Sequence, residues 1–138
     1  MLENFRLGAD YISLWQGESC FDLHNDYSLE RLSYNLEARE LCFFWCRRTE
    51  IGTAKLPAGL QLQLTGVYLF RAHERDPEQP YTEDDCLANI GFMWNSMPHE
   101  LSAFAKHAPQ QDCNHLSLMF QSGFAVKVGA KRARLVSE

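Results

Sequence analysis

Asp22, His24 and Asp26 occupy alternate positions in the run FDLHNDYSLERLSYNLEARELCFFWC (21–46), where Cys42 and Cys46 follow four apart. Carboxylate with imidazole is a metal-ligand combination, and paired thiols serve zinc or redox chemistry. Geometry weighs against both. On an extended chain the outer members of an i, i+4 set lie about 13 Å apart, too far for one ion without a sharp bend. The same spacing exceeds the Cα separation of about 7 Å that limits a disulfide. Only a helix would make Cys42 and Cys46 neighbours, yet Leu41-Cys42-Phe43-Phe44-Trp45-Cys46 has no polar helical face, and its aromatics favour a strand. The expectation is a loop whose Asp and His side chains cap the next strand, with the two cysteines packed as small core residues. Neither a metal site nor a cofactor is expected.

Nucleophilic catalysis needs a thiol or hydroxyl with a base and an orienting group. Cys113 stands two residues before His115, and Cys20 four before His24. Sequence neighbours seldom form such a pair, because the base usually arrives from another element. The G-x-S-x-G, P-loop and H-E-x-x-H patterns are absent. His99 and His107 fall eight apart on a helical pattern, about 12 Å along its axis. A non-catalytic protein is therefore the favoured reading. The enzymatic alternative is a small hydrolase or ligand-binding protein with a pocket at His24 and Asp26, joined by Cys113.

The elements that would position these residues show mostly period two, the mark of strands. Residues 28–36 and 40–48, separated by a short polar break, predict a hairpin, although Leu29, Leu32 and Leu36 also fit a helix. Leu60, Leu62 and Leu64 alternate with Gln61, Gln63 and Thr65 until the phase slips at Gly66. A β-bulge there would return Val67 and Leu69 to the leucine face. Residues 86–94 predict another strand, and 96–108 a short helix with Pro98 near its start and Pro109 at its end. Leu116, Leu118 and Phe120, then Phe124, Val126 and Val128, alternate across a Ser122-Gly123 turn. A last strand turns Ala133 and Leu135 away from Arg132 and Arg134. The expected fold is one α+β domain over residues 1–138: a mostly antiparallel sheet of five to seven strands with one or two helices packed on one face.

Both faces of the 40–46 strand are apolar: Leu41, Phe43 and Trp45 on one, Cys42, Phe44 and Cys46 on the other. Such a strand should be covered twice. The second cover is the N-terminal segment, with Phe5, Tyr11, Ile12, Leu14 and Trp15, or a partner chain. Tyr68 and Phe70 would face that second layer.

A chain of 138 residues, 46% hydrophobic, can bury a core without staples. Its net charge of −5 provides no global field for nucleic acid or an anionic membrane. RNA binding through Lys127, Lys131, Arg132 and Arg134 is a third and weaker reading. Between His73 and Cys86 lie six acids, Glu74, Asp76, Glu78, Glu83, Asp84 and Asp85, against Arg75 alone. They form a solvated loop or a patch for a cationic partner. No secretory pattern or membrane-length apolar run is visible. Five cysteines without a framework suit a reducing, cytoplasmic setting.

Three stretches, LHNDYSLERLSY (23–34), LQLQLTGVYLF (60–70) and HLSLMFQSGFAVKVGAKRARL (115–135), loosely resemble a group of small bacterial α+β domains. That group includes immunity proteins of polymorphic toxin systems. The resemblance implies a non-enzymatic protein that binds a protein partner, a toxin or a second copy of itself as a homodimer. The expected partner-binding residues are Glu74, Asp76, Glu83, Asp84 and Asp85 of the acidic loop, with Tyr68 and Phe70.

Overall fold

The computed structural model describes residues 1–49, 55–93 and 115–138. These form eleven strands: β1 (Arg6–Leu7), β2 (Ser13–Gln16), β3 (Ser19–Asp22), β4 (Tyr27–Asn35), β5 (Glu40–Arg47), β6 (Gly59–Thr65), β7 (Leu69–His73), β8 (Leu87–Met93), β9 (His115–Phe120), β10 (Ala125–Gly129) and β11 (Arg132–Ser137). They pair into three antiparallel sheets, ordered β1-β2-β3, β11-β6-β5-β4 and β7-β10-β9-β8. The α+β expectation is overturned: no α-helix occurs among the described residues, only one 3-10 turn at Tyr81–Glu83. The helix expected over 96–108 lies outside them, as do His99, His107 and Cys113. Among the described residues no helix packs on the sheets. Each four-stranded sheet turns one apolar face into a shared cluster, and this is a sandwich solution to the same burial problem.

Two long strands join those sheets. β6 and β7 run on from one another, as do β10 and β11, and the first pair is hydrogen-bonded to the second in both sheets. At the corner, between the pairs Thr65–Arg132 and Leu69–Gly129, residues 66–68 face only residues 130–131. That is the bulge expected at Gly66, which takes φ +64°. The Lys131 N–H lies 3.1 Å from the Thr65 carbonyl oxygen and 3.2 Å from that of Gly66, so one donor serves two acceptors across the bend. The consequence for the side chains differs from expectation. Val67 joins the core, but the corner uses up further residues, so Phe70 and not Leu69 packs next against it. Leu69 pairs with Gly129 and faces the other way. Tyr68 lies over Gly129, where a Cβ would come within 2.6 Å of its ring.

The core follows the register. Across one sheet Ala133, Leu64, Leu41 and Tyr34 form a row, and Leu135, Leu62, Phe43 and Leu32 the next. Across the other, Phe70, Val128, Leu116 and Phe92 align, then Val126, Leu118 and Ile90. Burying each large aliphatic or aromatic side chain contributes about 1.5–3 kcal/mol before entropy is subtracted. β5 is extended, as expected, with Leu41, Phe43 and Trp45 wholly buried and the last two rings stacked at 5.6 Å. On its second face Cys42 and Phe44 are half-buried and Cys46 is exposed, and no further sheet among the described residues covers it. The Arg31 guanidinium lies 4.0 Å from the centre of the Phe44 ring and covers part of it. The N-terminal segment goes elsewhere. Phe5, Leu7 and Leu14 enter the core, and Met1 to Asn4 run along the outer edge of β11.

Because Gly66 holds a left-handed conformation at the corner, Gly66→Ala should destabilise the protein by about 1–2 kcal/mol, and Gly66→Asn by less. Thermal unfolding of the three proteins measures this. Equal midpoints would show that the corner does not depend on this residue.

Candidate functional site

The acidic loop is shaped by its own sequence. The Asp76 carboxylate accepts the Glu78 N–H at 2.9 Å, the Gln79 N–H reaches the Asp76 carbonyl at 3.1 Å, and Pro80 leads into the Tyr81–Glu83 turn. Arg75 holds the two ends together. Its Nε donates to Asp84 at 2.8 Å, its Nη2 donates to the Gln79 carbonyl at 2.7 Å, and its guanidinium sits 4.4 Å from the centre of the Tyr81 ring. The hydrogen bond from Arg75, helped by one from Ser122, holds the Asp84 carboxyl below its ordinary range. Backbone bonds from Asp76 N–H to Ser122 and from Ser122 N–H to Glu83 fasten the loop to the β9–β10 turn. The Leu29 N–H to the Asp85 carbonyl, 2.9 Å, fastens it to β4.

These ties leave a groove of about 350 Å³ between β4, the loop and Phe124. Leu29, Leu32 and Phe124 are its apolar lining; Glu30, Arg31, Arg75, Asp84 and Asp85 are the charged part. Arg75 is paired with Asp84, and Arg31, over the Phe44 ring, keeps its positive charge at one side. Glu30 and Asp85 are therefore the acids that can meet a cation, and they leave the lining net negative by one charge. The groove exists because β4 bulges at Glu30: Leu29 pairs with Trp45 and Arg31 with Phe44, which leaves Glu30 without an opposite residue. That bulge places Leu29 and Leu32, three apart, on one face of a strand. Their spacing was the visible sign of it in the sequence, where it also fitted a helix.

The expected partner residues are divided. Asp84 and Asp85 line the groove. Glu83 is half-buried beside them, and Glu74 and Asp76 are exposed on the loop approaching it. Phe70 packs on Tyr34 with ring centres 4.9 Å apart. Tyr68 is 57% exposed at the corner, 5.9 Å from the His115 ring, and belongs to a different surface. Glu30, Arg31 and Phe124 come from other elements, and no spacing pattern linked them to the acidic run.

The alternative pocket forms a cluster of another kind. Asp22 caps its turn by accepting the N–H groups of His24 and Asn25 at 2.9 and 2.8 Å. His24 Nδ1 lies 2.6 Å from the Leu87 carbonyl oxygen and 3.5 Å from Cys86 Sγ. A carbonyl only accepts, so Nδ1 carries the proton and cannot take one from the thiol. Burial pushes the Cys86 thiol up; Arg48 opposes this and Glu83 and Asp85 add to it. The geometry therefore holds a thiol beside a base whose near nitrogen is already occupied. Burial, and next the Asp22 charge, also raise the Asp26 carboxyl. Asp22, His24 and Asp26 do not converge on an ion, and no group of three metal-ligating side chains occurs among the described residues. Cys42 and Cys46 are free thiols, and burial raises Cys42.

The basic C-terminal stretch is divided. Lys127 is fully buried, whereas Lys131, Arg132 and Arg134 are exposed, and Arg132, paired with Glu3, lines a groove with Arg134, Gln63 and Thr65. No described helix is long and apolar enough to cross a membrane.

Two measurements follow from these environments. Brief alkylation at about pH 8 should modify Cys46 ahead of Cys42 and Cys86, because burial and a raised thiol pKa both slow the latter pair. Peptide mapping that found Cys86 the fastest would reopen the nucleophile reading. The Asp84 carboxyl, held low, contributes stability that is complete above the ordinary carboxylate range and is lost only as pH falls through its depressed value. Amide exchange in residues 81–85 should therefore be unchanged by the Arg75 contact's titration down to about pH 4.5, and Arg75→Ala should accelerate it at neutral pH. An unaffected loop in that variant would refute the clasp.

Comparison with protein-family models, with characterised proteins and with solved structures finds no match to this chain.

Proposed function

We propose that this protein is a non-catalytic binding protein whose acidic groove beside β4 engages a basic surface of a protein partner. The observation that carries the reading is the groove itself: an apolar lining of Leu29, Leu32 and Phe124 next to Glu30 and Asp85, held open by a loop tied at both ends. An apolar lining with an acidic rim suits a partner that offers an aliphatic or aromatic side chain flanked by Lys or Arg. Exposed Glu74, Asp76 and Glu78 extend the negative field outward and would speed encounter. An enzyme with a basic active site, such as a toxin, has the required surface, and the resemblance to immunity proteins points the same way. Self-association through this groove is disfavoured, since two copies would bring two acidic loops together. A hydrolytic role at His24 has less support, because the imidazole nitrogen near the thiol is committed to a carbonyl.

Charge reversal tests the reading, and Asp84 is the wrong residue to reverse because it anchors Arg75. A Glu30→Lys, Asp85→Lys double variant removes the two available charges and spares the clasp. A partner captured from lysate by the native chain should be lost by the double variant, and its affinity should fall about tenfold between about 50 and 300 mM salt. The variant's melting temperature should remain native. Capture that is equal for both proteins and insensitive to salt would overturn the proposal.

A further inference from the structure

The manner of binding can be read from the strand edges, and it rests on the partner reading above. β4 is the outermost strand of its sheet. The Arg47 N–H bonds to Ala58 and the Arg48 N–H to Asp26, so successive residues of β5 look toward β6 and β4 in turn. Phe44, Cys42 and Glu40 therefore bond toward β4, where they pair with Arg31, Ser33 and Asn35. Leu32 and Tyr34, between those positions, turn their N–H and C=O groups off the sheet. Leu29 does the same on the other side of the bulge, and there the Asp85 carbonyl takes its N–H. No backbone or side-chain hydrogen bond among the described residues closes the edge at Leu32 and Tyr34.

Two other edges of the large sheets are met by the N-terminal segment, β11 along much of its length and β8 at one residue. On β11, Ala133 exchanges bonds with Glu3 N–H and Met1 C=O, and the Asn4 amide imitates a backbone unit against Leu135. On β8, the Ile90 N–H reaches the Tyr11 carbonyl at 2.6 Å. An edge that stays open beside an apolar groove is a template for another strand.

We propose that the partner contributes an extended segment that adds to β4 as a further strand, its backbone bonded to Leu32 and Tyr34. Its alternate side chains are basic and apolar: the apolar set meets Leu32 and Phe124, and the basic set meets Glu30 and Asp85. Period-two alternation of the incoming strand matches the two halves of the groove. Charge chooses the sign of the segment; the open edge chooses its conformation.

The probe is the blocked hexapeptide Lys-Val-Lys-Val-Lys-Val, compared with two copies N-methylated at all lysines or at all valines. N-methylation removes the donors along one edge of a strand and leaves its charge. Titration calorimetry with the full chain should show that the parent and one methylated copy bind, while the other copy binds at least about tenfold more weakly. Exchange of the Leu32 amide should slow by a similar factor on binding the parent. If all three peptides bind alike, charge acts alone: strand addition is overturned and the acidic-groove function stands. If none binds, strand addition is also overturned, and the function falls with it only if the Glu30→Lys, Asp85→Lys variant keeps its captured partner.

Discussion

The pairing of residues 59–73 with residues 125–137 around a single bend is the constraint on which the rest depends. Each of the two large sheets is a different stretch of that same ribbon, extended by β5 and β4 at one end and by β9 and β8 at the other. The bend needs one strand to travel farther than its partner, and the extra residue at 66–68 provides the length. Gly66 supplies the left-handed φ, and Lys131 N–H keeps the inner carbonyls satisfied through the turn. With the ribbon folded over, Leu62 and Leu64 in one sheet share a buried cluster with Val126 and Val128 in the other. No helical layer is required between them.

The edges then determine where the surface can act. A sandwich has exposed strand edges, and each must be blunted or used. Met1 to Asn4 and Tyr11 serve two of them, which accounts for the first dozen residues wrapping the body instead of covering β5. On β4 the cover stops at one bond, Leu29 to Asp85, and the bulge at Glu30 turns the remainder toward the groove. The acidic loop is thereby both a partial cap and a rim. Its position comes from backbone bonds to the β9–β10 turn and to β4, and its charge distribution from Arg75 neutralising Asp84 but not Asp85.

Much of the strand content was legible in the sequence. The hairpin of β4 and β5, the alternating leucines of β6, the Gly123 turn with φ +85° and the alternation of β9 to β11 all follow from period-two burial and turn chemistry. The α+β expectation failed because the two large sheets of the described residues bury their apolar faces in one shared cluster. The layer that buries a sheet is chosen by the whole chain and not by a local pattern. The N-terminal segment is not the second cover over β5, for a related reason. Phe44 looked like a core residue, but an arginine from the neighbouring strand can lie across an aromatic ring and leave it at the surface.

By itself the sequence determined the extended segments from residue 28 onward, the apolar face of most of them, the turns at Gly66 and Gly123, and that acids crowd between β7 and β8. These are properties of a few adjacent residues, set by side-chain polarity and backbone sterics. But it assigned no strand to β1, β2 or β3, and it expected five to seven strands where eleven are found among the described residues. Only the tertiary structure decided that β6–β7 and β10–β11 bend together, that Cys86 and not Cys20 lies beside His24, and that Glu30 and Phe124 meet Asp85 across a groove. Those juxtapositions join residues separated by up to about a hundred positions, and they follow from register and edge closure. A pattern confined to one strand cannot encode which other strand will lie beside it.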